Sequence, residues 1–234
     1  MPRPALVLSL VALTLLVAGA AVRAGNAVLI DQAAVTNNSF TTAASFATAT
    51  PTPTPTPTPS NTGFLSCAAN SAVTTNSGDN DGFQLDPGNA CANDASFAED
   101  TDSGTDTGTS CGGSDKDRHL YYDYGFSIPS GSTIAGIEVR LDAWANGAGG
   151  DPFICVELSW DGGTTWTTDQ ATSTLSTSEQ TFTLGAATDT WGRTWSDADF
   201  SNTNFRVRIT DVASAIQRDF RLDWAAVQVT YTGP

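Results

Sequence analysis

Ser159-Trp160-Asp161-Gly162-Gly163-Thr164-Thr165-Trp166 is the stretch that decides the fold class. Two tryptophan-bearing flanks meet at Asp161, Gly162 and Gly163, where glycine supplies the positive φ that a tight hairpin needs. Upstream, Ile154, Val156, Leu158 and Trp160 alternate with Cys155, Glu157 and Ser159, the period of a half-buried strand. The turn therefore predicts that the strand ending at Trp160 pairs antiparallel with one containing Trp166. Ser159 and Thr165 stand beside the turn, where their side chains can bond the backbone.

The same period recurs on both sides. Tyr121 to Ile128 opens the strand series. Ile137, Val139, Leu141 and Ala143 alternate with Glu138, Arg140, Asp142 and Trp144, and Phe205, Val207 and Ile209 alternate with Arg206 and Arg208. The last strand starts with Phe220, Leu222 and Trp224 inward and shifts phase to Val227, Val229 and Tyr231. That slip predicts a β-bulge or a change of buried face around Ala225 and Ala226. Helical periodicity is almost absent. The expected fold is all-β: an antiparallel, jelly-roll-like β-sandwich over residues 63–234.

The preceding residues read differently. Arg3 and the apolar run from Ala5 to Val22, followed by Val22-Arg23-Ala24, have the layout of a secretory signal peptide over 1–24. An uncleaved N-terminal anchor is the alternative, because such a run approaches the length of a membrane span. Residues 25–49 are a short mature segment expected to be disordered. Residues 50–62 are a linker whose Thr-Pro repeats favour an extended polyproline-type spacer.

The chain carries 25 acidic residues against 10 Lys and Arg, a net charge of −15. That balance repels phosphate backbones and anionic lipid, so nucleic acid is excluded as a partner, and no membrane insertion is expected after signal cleavage. Cys67, Cys91, Cys111 and Cys155 all follow the signal. An even number in an exported chain predicts two disulfides. Of three possible pairings the expected one is Cys67–Cys91, which tethers the start of the domain, with Cys111–Cys155, which pins the end of an acidic loop to a strand.

That loop holds ten acidic residues between positions 79 and 117, with Lys116 as their one basic companion. Hard oxygen ligands in a Gly- and Asn-rich loop suit Ca2+, and Asp79, Asp81 and Asp86 are the metal candidates. An EF-hand register fails, because it places Ser77 first and Gly88 where a bidentate glutamate belongs. A calcium site of another kind and a solvated acidic loop both remain open.

Aromatic side chains stack on sugar rings, which makes Trp144, Trp191 and Trp195 the ligand-binding candidates. Trp144 lies in an outward phase, and the other two flank Gly192 and Arg193 in a loop-like segment. The alternative is that Trp191 and Trp195 fold back and cap the sandwich. Trp160 and Trp224 are expected in the core.

The hairpin matches the S-x-D-x-G-x-T-W pattern and resembles the Asp box of sialidases and other secreted β proteins. The resemblance implies a structural hairpin away from any active site, with no catalytic residue. Asn38, Phe40 and Thr42, after Asp31, resemble the N-terminus of camelysin and biofilm-fibre type exported proteins, though Ala43 stands where glycine is usual. Gly136-Ile137-Glu138-Val139, Trp191-Gly192-Arg193-Thr194-Trp195, Asn204 to Arg208 and Leu222-Asp223-Trp224, in that order around the hairpin, resemble a β-sandwich module of uncharacterised bacterial secreted and surface proteins. The last likeness implies fold and location and carries no activity.

Catalytic signals are sparse. Glu138 and Glu157 are outward carboxylates, and glycoside hydrolysis requires a pair flanking one cleft. His119, the one histidine, sits at a strand start without a nucleophile elbow. The expected function is that of an exported, non-catalytic module, secreted or at the cell surface. It would serve adhesion, envelope structure or glycan binding, with an extracellular glycan or surface protein as partner. The alternative is a secreted hydrolase of glycosidase type, or its substrate-binding domain.

Overall fold

The computed structural model describes residues 57–74, 82–103, 107–215 and 217–234. The signal peptide, the 25–49 segment, most of the Thr-Pro repeat, the camelysin-like stretch and Asp79 and Asp81 lie outside the described residues. The strands are β1 (Ser60–Asn61), β2 (Leu65–Ser66), β3 (Ala69–Ala72), β4 (Ala98–Asp100), β5 (Arg118–Tyr122), β6 (Thr133–Ala145), β7 (Phe153–Ser159), β8 (Gln170–Ala171), β9 (Gln180–Ala186), β10 (Arg206–Val212) and β11 (Phe220–Thr232). Two 3-10 turns, Pro87–Ala90 and Asp197–Phe200, are the remaining elements.

These strands form two antiparallel sheets, the β-sandwich that alternation demands once each sheet must hide one face. In sheet A, β11 pairs with β6 along one edge and with β1, β2 and β4 in succession along the other, and β9 follows β6. Sheet B has the order β3-β5-β10-β7-β8. Ile137, Val139, Leu141, Leu222, Val227 and Val229 of sheet A close over Tyr121, Ile154, Val156, Leu158, Phe205, Val207 and Ile209 of sheet B, all essentially buried. At one end Tyr124, Phe126, Trp195, Phe200 and Phe205 form an aromatic plug with ring centroids 5.3–6.0 Å apart.

Several details depart from the alternation read along the chain. β5 stops at Tyr122, because Asp123 and Gly125 take positive φ and break the ladder. The bulge falls at Asp223 rather than at Ala225–Ala226: Leu222 pairs with Ala143 and Trp224 already with Asp142. The extra residue rotates Trp224 out of the core, where its Nε1 donates to Ser66 Oγ at 2.9 Å and the Arg140 guanidinium lies 4.9 Å from the ring centroid. Trp160, also expected inside, is half-buried at the rim with Arg193 3.8 Å over its ring.

The opposite correction applies to Trp191 and Trp195, which are 4% and 5% exposed and cannot form a binding platform. Asp189 turns the segment: its Oδ1 accepts the Trp191 N–H at 2.8 Å, and its carbonyl accepts the Ile137 N–H at 2.9 Å. Trp191 Nε1 then donates to the Ile137 carbonyl at 3.0 Å, which holds Trp191 at φ 54. Gly185 is required beneath it, since a Cβ there would lie 2.2 Å from the Ile137 oxygen.

The structure joins Cys67 to Cys91 and Cys111 to Cys155, with Cα separations of 4.9 and 5.8 Å. At the 159–166 turn Gly162 and Gly163 take φ of 78 and 99. Asp161 Oδ1 accepts the Ser159 hydroxyl at 2.9 Å and the N–H groups of Thr164 and Thr165 at 3.0 and 2.8 Å. The Thr165 and Thr164 donors pull this exposed carboxyl down to about 2. Trp166 lies outside any strand. The return passes through the Thr167 N–H to the Leu158 carbonyl, 2.9 Å, and reaches the ladder at β8.

Candidate functional site

The outward phase of each sheet collects arginines, carboxylates and aromatic rings, and on sheet B they surround a cavity of about 330 Å³. Its floor is β10 between β5 and β7, which places Arg208, Arg118 and Glu157 side by side through the pairs Arg208↔Glu157 and Thr210↔Arg118. Its roof is the 111–114 segment, held over the sheet by the Cys111–Cys155 disulfide, and Asp169 closes a side. That volume is at the lower end of small-ligand sites.

Each floor group is oriented by neighbours. Arg208 donates through Nε to Glu157 Oε2 at 2.7 Å, and its guanidinium lies 4.1 Å from the centroid of the half-buried Trp166. Arg118 reaches up to the roof, donating to the carbonyls of Cys111 at 3.3 Å and of Gly113. Burial, and then the nearby Arg208, lower the Arg118 pKa. Along the same face Arg206 covers Tyr122 at 4.4 Å. Asp169 is exposed at the rim. The cavity lining therefore presents carboxylate acceptors and guanidinium donors, with the charges of the two signs balanced, and Trp166 packs against Arg208 outside that lining.

The expected site residues fall elsewhere. Trp144 is half-buried on the outer face of sheet A, its ring 4.9 Å from Phe97 in an edge-on contact. Asp86 is exposed at φ 47, immediately before the Pro87–Ala90 turn. Among the described residues a cluster of metal-ligating types combines Cys111, Cys155 and Asp169, but those sulfurs form a disulfide and offer no thiolate. The outward phases of Arg208 and Glu157 were legible in the alternation. The pinning of the loop end to a strand was legible in the expected Cys111–Cys155 pair, but its seating over Arg118 and Glu157 was not, because that depends on Arg118 bonding the Cys111 and Gly113 carbonyls.

Catalytic arrangements dissolve on the same geometry. Glu138 belongs to β6 of sheet A and Glu157 to β7 of sheet B, both pointing outward, so the sandwich separates them and no single bond fits between. Glu138 accepts from Gln228 Nε2 at 2.8 Å. His119 is 2% exposed. Its Nδ1 accepts the Phe83 N–H at 3.2 Å and its Nε2–H donates to Asn70 Oδ1 at 2.9 Å, while burial pushes its pKa down to about 4. It is a neutral core side chain.

No protein-family model matches the chain and no curated protein is similar to it, so the likenesses to Asp-box, camelysin-type and surface modules rest on the quoted residues alone. Solved structures that resemble it include a carbohydrate-binding module, CBM4, at 18% identity and TM-score 0.32, over 59% of this chain and 72% of that one. Another is the CBM22-1–GH10 part of the Clostridium thermocellum endo-1,4-β-D-xylanase 10B with xylohexaose, at 14% identity and TM-score 0.31, over 50% of this chain and 20% of that one. A third is the CBM32 of AlyQ in complex with 4,5-unsaturated mannuronic acid, at 12% identity and TM-score 0.32, over 70% and 96%. Superpositions this loose carry no ligand or activity across. The two disulfides fit an extracellular protein. Among the described residues no helix is long and apolar enough to cross a membrane.

Proposed function

We propose that this chain is an exported, non-catalytic β-sandwich module that binds a neutral glycan in the sheet B cleft, at the cell surface or free outside it. The observation that carries this reading is the cleft's donor and acceptor set: Arg118, Arg208, Glu157 and Asp169 around about 330 Å³. Sugar hydroxyls take hydrogen bonds from guanidinium groups and give them to carboxylates. The balanced local charge and the overall −15 favour a neutral polysaccharide over an acidic one. Glu157 is held by Arg208 and faces no partner carboxylate from sheet A, which disfavours the hydrolase alternative.

The test is a polysaccharide array probed with the mature chain, run beside a panel of glycosidase and esterase substrates. Retention of one or more neutral polysaccharides, lost in Arg118→Ala and in Asp169→Asn, is the expected outcome. Turnover of any substrate, or retention unchanged in both variants, would overturn it.

A further inference from the structure

Arg118 of β5 lines the cleft, and the next residue, His119, faces the other way, into the sandwich. Two other parts of the chain meet it there. On β3, Ala72 pairs with His119, and Asn70 Oδ1 accepts the His119 Nε2–H at 2.9 Å. The residue after β3, Val73, also lines the cleft, and its N–H donates to the Arg118 carbonyl at 3.0 Å. From another side the Phe83 N–H donates to His119 Nδ1 at 3.2 Å, and the buried Phe83 ring meets the imidazole edge-on, centroids 6.0 Å apart. Gly82 comes so close that a Cβ there would lie 2.9 Å from Nδ1 and 2.7 Å from the Arg118 carbonyl oxygen. His119 thus ties residues 82–83 to the two strands that carry Val73 and Arg118 to the cleft.

This arrangement has no place for a second proton on the ring. Nδ1 accepts from a backbone amide, so its lone pair must be free and the imidazole is held as the neutral Nε2–H tautomer. Protonation would set two N–H groups against each other and leave a cation in the interior. The surrounding groups do not compensate it. β3 and residues 82–85 contain no titratable side chain. On β5 and just before it, Arg118 carries the same sign, and Asp117 and Tyr121 lie two positions to either side. β10 places Ile209 opposite, with Asp211 further along and bonded to Asp100 of β4. Among the described residues no carboxylate pairs with the imidazole, and burial lowers its pKa to about 4. The unfolded value is about 6.5, so the closed arrangement is at full strength at neutral pH and is progressively disfavoured as pH falls from about 6.5 to about 4.

We propose that His119 is an acid-sensitive latch behind the cleft: when the imidazole takes up a proton, Phe83 leaves its seat, and the Asn70 and Val73 bonds at the cleft's edge loosen with it. Weaker glycan retention in mildly acidic surroundings than at neutral pH is the consequence for the ligand. That consequence rests on the glycan reading of the cleft, whereas the latch itself does not.

Amide hydrogen exchange on the mature chain, disulfides intact, provides the test at pH 7 and at about pH 4.5, with rates corrected for the intrinsic effect of pH. In the wild type, protection of the Phe83 amide is expected to fall about 80-fold at the lower pH, the ratio set by the folded and unfolded pKa values, and protection of the Val73 amide is expected to fall with it. His119→Gln can accept from Phe83 and donate to Asn70 without titrating, and is expected to keep both amides protected at either pH. If that variant does not fold, nitrogen NMR of the wild-type imidazole decides: it should remain neutral, with its proton on Nε2, down to about pH 5. An imidazole midpoint near 6.5 in the folded protein would overturn the latch, as would equal protection of Phe83 in wild type and variant at both pH values. If Phe83 opens as expected but a polysaccharide retained at pH 7 is held equally well at about pH 4.5, the link from latch to cleft is overturned. Retention of no polysaccharide at all counts against the glycan reading, and the exchange rates then decide the latch alone.

Discussion

The two outer faces of the sandwich draw on one chemistry and reach different ends. On sheet A, Arg140 pairs with Asp142 at 2.8 Å and lies over Trp224, Arg221 pairs with Glu99 at 2.6 Å and lies over Phe97, and Gln228 bonds Glu138. On sheet B, Arg208 pairs with Glu157 at 2.6 Å and covers Trp166, and Arg206 covers Tyr122. The difference lies in what stands above. β6 and β11 are thirteen residues each and pair along almost their whole length, so the groups of face A brace neighbouring strands. β7 and β10 are seven residues each, and a disulfide-held segment roofs the face beside them. Outward arginines and carboxylates are therefore not in themselves a site. A cleft arises where a covalent tether holds backbone above them.

The strongest way to break this comparison is to cut the tether. Cys111→Ala with Cys155→Ala opens a loop of sequence separation 44 and is expected to lower stability by about 4 kcal/mol in urea unfolding, and to abolish glycan retention. Cys67→Ala with Cys91→Ala, separation 24, is expected to cost about 3.5 kcal/mol while the folded fraction still binds. Equal binding in both double variants would show that the roof is dispensable.

A smaller effect separates the faces themselves. The side chain of Asp142 is 2% exposed and accepts from Arg140, Asn93 Nδ2 at 3.2 Å and Thr181 Oγ1 at 2.5 Å. Asp142→Ala is expected to cost about 2–3 kcal/mol in denaturant unfolding with glycan affinity unchanged. Arg118→Ala on face B should do the reverse: a weakening of glycan binding by about tenfold, seen by calorimetric titration, with little change in the unfolding midpoint. Loss of glycan affinity in Asp142→Ala would move the site to sheet A.

The smallest expected effect belongs to the 159–166 turn, which lies at the end of face B. Because the folded Asp161 carboxyl titrates at about 2, below its unfolded value, its contribution to stability is present above the unfolded pKa and lost as pH falls towards 2. Carboxyl-carbon NMR should find that midpoint near 2, and Asp161→Asn should flatten the stability profile below pH 4 without altering glycan retention. A midpoint near 4 would mean that the N–H groups of Thr164 and Thr165 do not hold the carboxylate.

Much of this architecture was legible along the chain. The inward sets of β6, β7 and β10 follow the alternation residue by residue, and so do the outward positions of Arg140, Glu157, Arg206 and Arg208. Trp144 keeps the outward phase read for it, and Trp191 and Trp195 take the buried alternative, but the core positions expected for Trp160 and Trp224 were not met. One additional residue at Asp223 reverses the phase of Trp224, and the Asp189 turn swings Trp191 inward. Side-chain direction in a strand has period two, so a single inserted residue outweighs any preference of the residue itself.

By itself the sequence determined the long strands β6, β7, β10 and β11, the tight turn at Asp161-Gly162-Gly163 and the even set of cysteines, because alternation, positive φ at glycine and thiol number act within a few residues. Only the tertiary structure decided that Glu138 and Glu157 stand on opposite faces. It also decided that residues 111–114 roof a cleft, and that Asp100, Asp117 and Lys116, read along the chain as part of an acidic loop, lie in the interior. Each depends on which distant strands pair. That choice is made by the joint burial of two sheets, which no local window of residues contains.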